Sequence, residues 1–165
     1  MRKNFSTFEK LRAGMGLVEI IVGAAIVFTA ILAINESYNT YVKYALTNQR
    51  NVEASYILEE GLEAMTLLRD KGWTANISKL STTTTYYLTF ASSAWSTTTT
   101  AQYVDGIFLR SISILDVKRD ASDHIASSGT YDPNIKEITS TVAYWQGHAT
   151  TTRSISTFIA NIYNN

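Results

Sequence analysis

Residues 14–34, GMGLVEIIVGAAIVFTAILAI, decide the fold of this chain. Between Met15 and Ile34 the only charged residue is Glu19, and there is no proline. Roughly 20 apolar residues in a helix span about 30 Å, which is the thickness of the hydrocarbon core of a bilayer. The sequence therefore predicts one membrane-spanning helix near the N-terminus.

The charges are distributed unevenly about this apolar segment. The chain as a whole has no net charge, but residues 1–14 contain four basic residues against Glu9, so the remainder is acidic. Basic residues just before an apolar span keep the N-terminus in the cytoplasm, so the C-terminal part should lie across the membrane. A neutral chain gives no overall basic field that would indicate nucleic acid binding. The absence of cysteine excludes a disulfide framework.

Three interpretations of the apolar segment compete. A secretory signal peptide has an apolar region of about 7–15 residues followed by a small-x-small cleavage site, whereas this segment is longer and no such site follows Ile34. A plain N-terminal anchor explains the length and the charges but not Glu19. A functional role for Glu19 is the third interpretation, because an ionisable group in lipid costs a few kcal/mol and needs a reason to be there.

The N-terminal residues also carry a resemblance. A short basic leader ending in Gly14, followed by an apolar helix with Glu19 at its fifth position, resembles the class III signal of type IV prepilins and type II secretion pseudopilins. The resemblance implies that a prepilin peptidase cleaves between Gly14 and Met15 and methylates the new N-terminus. The family most often has Phe at that first mature position, so Met15 departs from its pattern. Glu19 would pair with the Met15 amino group of a neighbouring subunit and set the axial register of assembly.

The resemblance implies an α+β, pilin-like fold. A long N-terminal helical spine, whose first half spans the membrane, would pack on a small antiparallel sheet. The predicted domains are a cleaved leader at 1–14, a transmembrane and assembly half of the helix at 15–34, a periplasmic half at 35–72 and a β domain at 73–165.

Local patterns agree with a long helix. Residues 35–71 contain no helix breaker, and Gly72 follows Arg69 and Lys71, which suit the C-terminal end of a helix. We therefore expect one helix over 15–71. Its second half has an apolar stripe with spacings of three, four and seven, which should pack on the sheet. The residues of this stripe are Tyr41, Ala45, Val52, Tyr56, Ile57, Gly61, Ala64 and Leu68, with Leu58, Leu62 and Met65 beside them.

After Trp73, Thr, Ser, Tyr and β-branched residues predominate, which favours strands. The sequence predicts strands at 107–117, 137–145 and 150–159, with a hairpin at 146–148 joining the last two. The first is not cleanly alternating, so it should be central or contain a bulge. A turn-rich connection is expected over 118–135. The threonine-rich runs are predicted as exposed turns or edge strands; they are 81–85 and 96–100, on either side of 86–90.

No residue constellation indicates chemistry. His124 and His148 are the only histidines, and neither forms part of a metal-binding or nucleophile motif. The spacing of Asp116, Asp120, Asp123 and Asp132 does not match a calcium loop. Glu59, Glu60 and Glu63 are expected on a solvated face. The sequence therefore predicts no catalytic residue, metal or cofactor, and a protein that is not an enzyme.

The resemblance implies a structural subunit, a minor pilin or pseudopilin, since the proline common just past the membrane in major pilins is absent. It would be a single-pass protein of the cytoplasmic (inner) membrane with its N-terminus inside, later extracted into an extracellular or periplasmic filament. Its partners would be other subunits, prepilin peptidase, an inner-membrane assembly platform with its ATPase, and lipid before assembly. DNA binding remains open but without support. The alternative is a membrane-anchored exported binding or adhesion domain that does not polymerise.

Overall fold

A computed structural model of the chain describes residues 5–147 and 149–163, with side chains from residue 16 onward. It divides into two compact units, Met1–Asn48 and Gln49–Asn165. The helices are α1 (Phe5–Lys71) and α2 (Trp73–Asn76), and the strands are β1 (Tyr87–Ala91), β2 (Ala94–Thr98), β3 (Tyr103–Val104), β4 (Phe108–Arg119), β5 (Ile125–Ala126), β6 (Thr130–Gln146) and β7 (Ala149–Ala160).

Helix α1 ends where the sequence predicts and begins earlier. It ends at Lys71, and Gly72 follows with φ +156°, a conformation that residues with side chains rarely adopt. The expected start at Met15 is wrong for this chain, because α1 already begins at Phe5. The leader contains Leu, Glu, Lys, Arg and Ala, which are good helix formers, and nothing in it stops the helix.

The second unit contains two antiparallel sheets. The larger has the strand order β3-β4-β6-β7, with β5 paired to β4, and the smaller consists of β1 and β2. Tyr86, the residue before β1, exchanges two backbone hydrogen bonds with Ile112 of β4. These bonds connect the small sheet to the large one. Within this unit the end of α1 packs on the larger sheet, since Ala64, Met65 and Leu68 share a core with residues of β4, β6 and β7. The predicted α+β class, a long apolar N-terminal helix packed on antiparallel sheets, is confirmed.

The three main predicted strands are present, but the connection between the first two is not as expected. Strand β4 is interior, which confirms the predicted central position, and its register with β6 shifts between Asp116 and Val117 because β6 has extra residues there. The turn-rich connection is wrong for much of its length, because β4 continues to Arg119 and β6 begins at Thr130. Residues 133–135 have no partner on β4, so Pro133 lies in a bulge. Proline is tolerated there because no ladder hydrogen bond is lost.

The hairpin between the last two strands is confirmed. Gln146 pairs with Ala149, which closes a tight connection, and Gly147 in it has φ +68°. His148 lies outside the described residues. In β6 the expected inward residues Ile138, Val142 and Tyr144 are buried.

The predicted helix stripe is correct only in its second half. From residue 16 onward, the buried residues of α1 are Ala54, Ile57, Leu58, Gly61, Ala64, Met65 and Leu68. Val52 and Tyr56 are exposed, because each lies two residues from Ala54 and so about 200° around the helix from the face that meets the sheet. Tyr41 and Ala45 belong to the first unit and are exposed as well.

Candidate membrane and assembly segment

The described side chains of the first unit form an apolar surface that no other described residue covers. Helix α1 is the one described helix that is long and apolar enough to span a bilayer. Its large apolar side chains from Leu17 to Ile34 are half or more exposed, and Ile20 reaches 73 %. In water such a surface is unfavourable by roughly 25 cal/mol per Å². The segment could therefore serve as a membrane anchor.

Glu19 lies within this apolar surface and is exposed. Among the described residues no ion pair involves Glu19. Gly16 and Gly23, three residues before and four residues after it, lie on the same helix face. A Cβ built at either glycine meets nothing within 4 Å. A second helix could approach this face closely, because small residues let helix backbones come together in lipid.

A band of tyrosines follows the apolar segment. Tyr38, Tyr41 and Tyr44 are 65 %, 72 % and 67 % exposed and recur every three residues on α1. Tyrosine is enriched where a transmembrane helix leaves the hydrocarbon core, because its ring prefers the apolar side and its hydroxyl the wet side. Lys43 lies in the same turn and is exposed. Their position, one turn after Ile34, is that expected for the boundary of a membrane span.

The predicted processing site lies inside α1. Gly14 and Met15 are both helical, and Met15 is four residues before Glu19, hence one turn away on the same face. The surroundings of Gly14 and the side chain of Met15 lie outside the described part of the structure. Cleavage between Gly14 and Met15 therefore remains a prediction.

The second unit has a polar centre beneath α1 that sequence reasoning missed. Arg110 of β4 is buried, forms an ion pair with Glu60 of α1, and its guanidinium lies 5.2 Å from the ring centre of Trp95. Glu59, Glu60 and Glu63 are all exposed as expected, but Glu60 also has a partner on the sheet. The alternation of β4 could have revealed Arg110, since it has the same parity as the buried Phe108 and Ile112.

The aspartates of the second unit are used in ion pairs and turns. Asp116 pairs with buried Lys136, which raises the pKa of Lys136 although burial alone would lower it. Arg119 donates a 2.7 Å hydrogen bond to Asp132 and lowers the pKa of that carboxyl. Asp120 accepts hydrogen bonds from two backbone N–H groups of its own loop. Within residues 5–147 and 149–163 no group of acidic or histidine side chains is arranged to hold a metal ion.

Comparison with protein-family models, with curated proteins and with solved structures gives no match to this chain. The resemblance to prepilins therefore remains an expectation from the sequence of residues 1–34.

Proposed function

We propose that this chain is a structural subunit of a type IV pilus or type II secretion filament, in the manner of a minor pilin or pseudopilin. In this proposal prepilin peptidase cleaves between Gly14 and Met15. The subunit waits in the cytoplasmic membrane, anchored by α1, and the assembly platform and its ATPase then move it into a filament. The filament forms through the apolar part of α1.

The observation that supports the proposal most directly is Glu19, exposed on an apolar helix face between Gly16 and Gly23. A carboxylate in lipid costs a few kcal/mol when it stands alone. The cost falls when a positive group lies beside it in a dry, close-packed helix bundle. Cleavage before Met15 creates such a group, and the two glycines give a neighbouring helix room to bring its own ammonium to Glu19.

Mass spectrometry of the chain purified from membranes of the cell that makes it tests the processing step. The expected mature form begins at Met15 and bears one N-methyl group. A chain that retains Met1 contradicts the proposal and favours the non-polymerising, membrane-anchored binding domain. A cut beyond Ile34 contradicts it too and indicates a secreted protein.

Two variants test assembly separately from processing. Glu19→Gln removes the charge while keeping the shape, so the chain should insert in the membrane at wild-type levels yet be absent from sheared filaments. Glu36→Gln, which changes an exposed acid just past the apolar segment, is the matched control and should assemble. Filaments that contain Glu19→Gln at wild-type levels would contradict the proposed pairing.

The glycine face has its own test. Gly23→Leu should block close helix approach and reduce incorporation, whereas Ala24→Leu, 100° away around the helix, should be tolerated. Equal incorporation of the two variants would show that the face containing Glu19 is not the one that meets a neighbour.

A further inference from the structure

The larger sheet ends in an unprotected edge. Among the described strands β7 pairs with β6 alone, so its other side presents N–H and C=O groups to no neighbouring strand. Proteins usually protect such edges with charged side chains, proline, a bulge or a very short strand. Strand β7 is 12 residues long, has no proline, has Arg153 as its one charged residue, four residues before Thr157, and its register with β6 continues unbroken along its length. This edge is geometrically ready to accept another strand.

A groove lies between α1 and this edge. It has a volume of about 420 Å³ and is lined by Leu62, Glu63, Thr66 and Leu67 of α1 and by Thr157 of β7. Leu67 is 56 % exposed although it belongs to the helix that covers the sheet. A helix flank facing an open strand edge is the arrangement in which an extended peptide gains main-chain hydrogen bonds on one side and side-chain contacts on the other.

The charge in the groove selects the kind of peptide. Glu63 is the one charged side chain among the lining residues. A residue of an added strand directly opposite Thr157 has its side chain on the same face as Thr157. That side chain points at the groove and at Glu63, so lysine or arginine is favoured there. The residues two positions before and after it project to the same face, where small apolar side chains suit Leu62 and Leu67.

We propose that the groove between α1 and β7 binds an extended segment of another protein, with a basic residue at its centre and small apolar residues at alternate positions, as an added strand of the sheet. A second copy of this chain, adding its own β7, is the competing occupant that the test below distinguishes. The groove is independent of filament assembly, so either proposal can fail without the other.

Three synthetic peptides test the groove. Each has ten residues that alternate valine and threonine. The first has lysine in place of a central valine and the second has glutamate there. The third has the sequence of the lysine peptide, with its backbone N-methylated at alternate residues. Fluorescence anisotropy with the full chain in dodecyl maltoside measures their binding. The lysine peptide should bind about tenfold more tightly than the glutamate peptide, and the N-methylated peptide should not bind because it cannot complete the ladder.

Matched variants locate the site. Glu63→Gln should remove the preference for lysine over glutamate, whereas Glu59→Gln, one turn earlier and outside the groove, should keep it. Leu67→Ser should weaken the lysine peptide several-fold, whereas Leu115→Ser, at the similar exposure of 51 % on the opposite face of the sheet, should not. Hydrogen exchange should slow at alternate amides of β7 when the lysine peptide binds.

Several results overturn the proposal. They are equal binding of the lysine and glutamate peptides, undiminished binding of the N-methylated peptide, an unchanged preference in Glu63→Gln, and no binding at 1 mM. Slow exchange at the outer β7 amides without peptide, together with a dimeric mass by light scattering, would assign the edge to a second copy instead.

Discussion

The close approach of α1 to the sheet at Gly61 leads to a prediction about stability. A Cβ built at Gly61 would clash with the Ser140 hydroxyl and would lie 3.1 Å from Arg110 Cδ and 3.3 Å from Ser140 Cβ. The Ser140 hydroxyl is itself buried and has no hydrogen-bond partner within the described structure. Gly61 and Ser140 therefore share one crowded contact, and substitutions at the two positions should not be additive.

The magnitude follows from two opposing effects. Adding a methyl group to a well-packed contact costs about 1–3 kcal/mol, while alanine is favoured over glycine in a helix by about 1 kcal/mol. Gly61→Ala should therefore lower the free energy of unfolding by about 1 kcal/mol, or the Tm by roughly 4 °C for a unit of this size. Ser140→Ala removes an unsatisfied hydroxyl and should raise stability by about 1 kcal/mol. In the Ser140→Ala background Gly61→Ala should be neutral or stabilising.

Urea unfolding of the full chain in dodecyl maltoside, followed by tryptophan fluorescence, measures these changes, because all three tryptophans lie in the second unit. The coupling between the two substitutions should be about 1–2 kcal/mol. Ser55→Ala, on an exposed position of α1, controls for helix propensity. If Gly61→Ala stabilises the wild-type protein, then α1 does not approach β6 as closely at Gly61 as the structure shows. If Ser140→Ala destabilises, the hydroxyl has a partner and the reasoning fails.

Three further predictions concern the second unit. Asp116→Asn leaves the buried Lys136 ammonium without its carboxylate and should lower the free energy of unfolding by about 1–3 kcal/mol. Adding Lys136→Met to that variant should restore most of the loss. Urea unfolding of the two variants measures both changes. The pKa of Asp132 is lowered by Arg119, so its stabilisation is present above about pH 4 and is lost as the pH falls through the folded-state pKa; Asp132→Asn should flatten the acid limb of a Tm-against-pH curve. Ser93 has φ +60° in the turn between β1 and β2, so Ser93→Gly should raise the Tm by a few degrees in a thermal scan.

Sequence reasoning located most elements because their signals are local. The end of α1 at Lys71 follows from an uninterrupted run of helix formers closed by Gly72. The hairpin between β6 and β7 follows from two alternating segments separated by a glycine. Both depend on residues within a few positions of each other, so no knowledge of the rest of the fold was needed.

The errors arose where tertiary contacts decide. Val52 and Tyr56 match the helical spacing of a buried stripe, yet the sheet begins to cover α1 only at Ala54 and on another face. The spacing of apolar residues shows that a helix has an apolar face. It does not show which side of the helix meets the sheet when few polar residues mark the opposite side. Pro133 suggested a loop, but a bulge in β6 accommodates it because its strand partner is displaced. Arg110 was missed because a charged residue is expected on the outer face, and only the structure shows Glu60 and Trp95 meeting it.

The role of Glu19 cannot be decided by whether the chain enters a membrane. More than ten large apolar side chains between Leu17 and Ile34 are exposed, and burying each is worth roughly 1.5–3 kcal/mol. The insertion cost of one carboxylate is a few kcal/mol. The apolar residues therefore outweigh Glu19 several-fold, and the chain should insert with or without it. Insertion is therefore insensitive to Glu19, whereas the proposed pairing with a neighbouring ammonium makes assembly sensitive to it. Filament incorporation, and not membrane localisation, is consequently the measurement on which the proposed function depends.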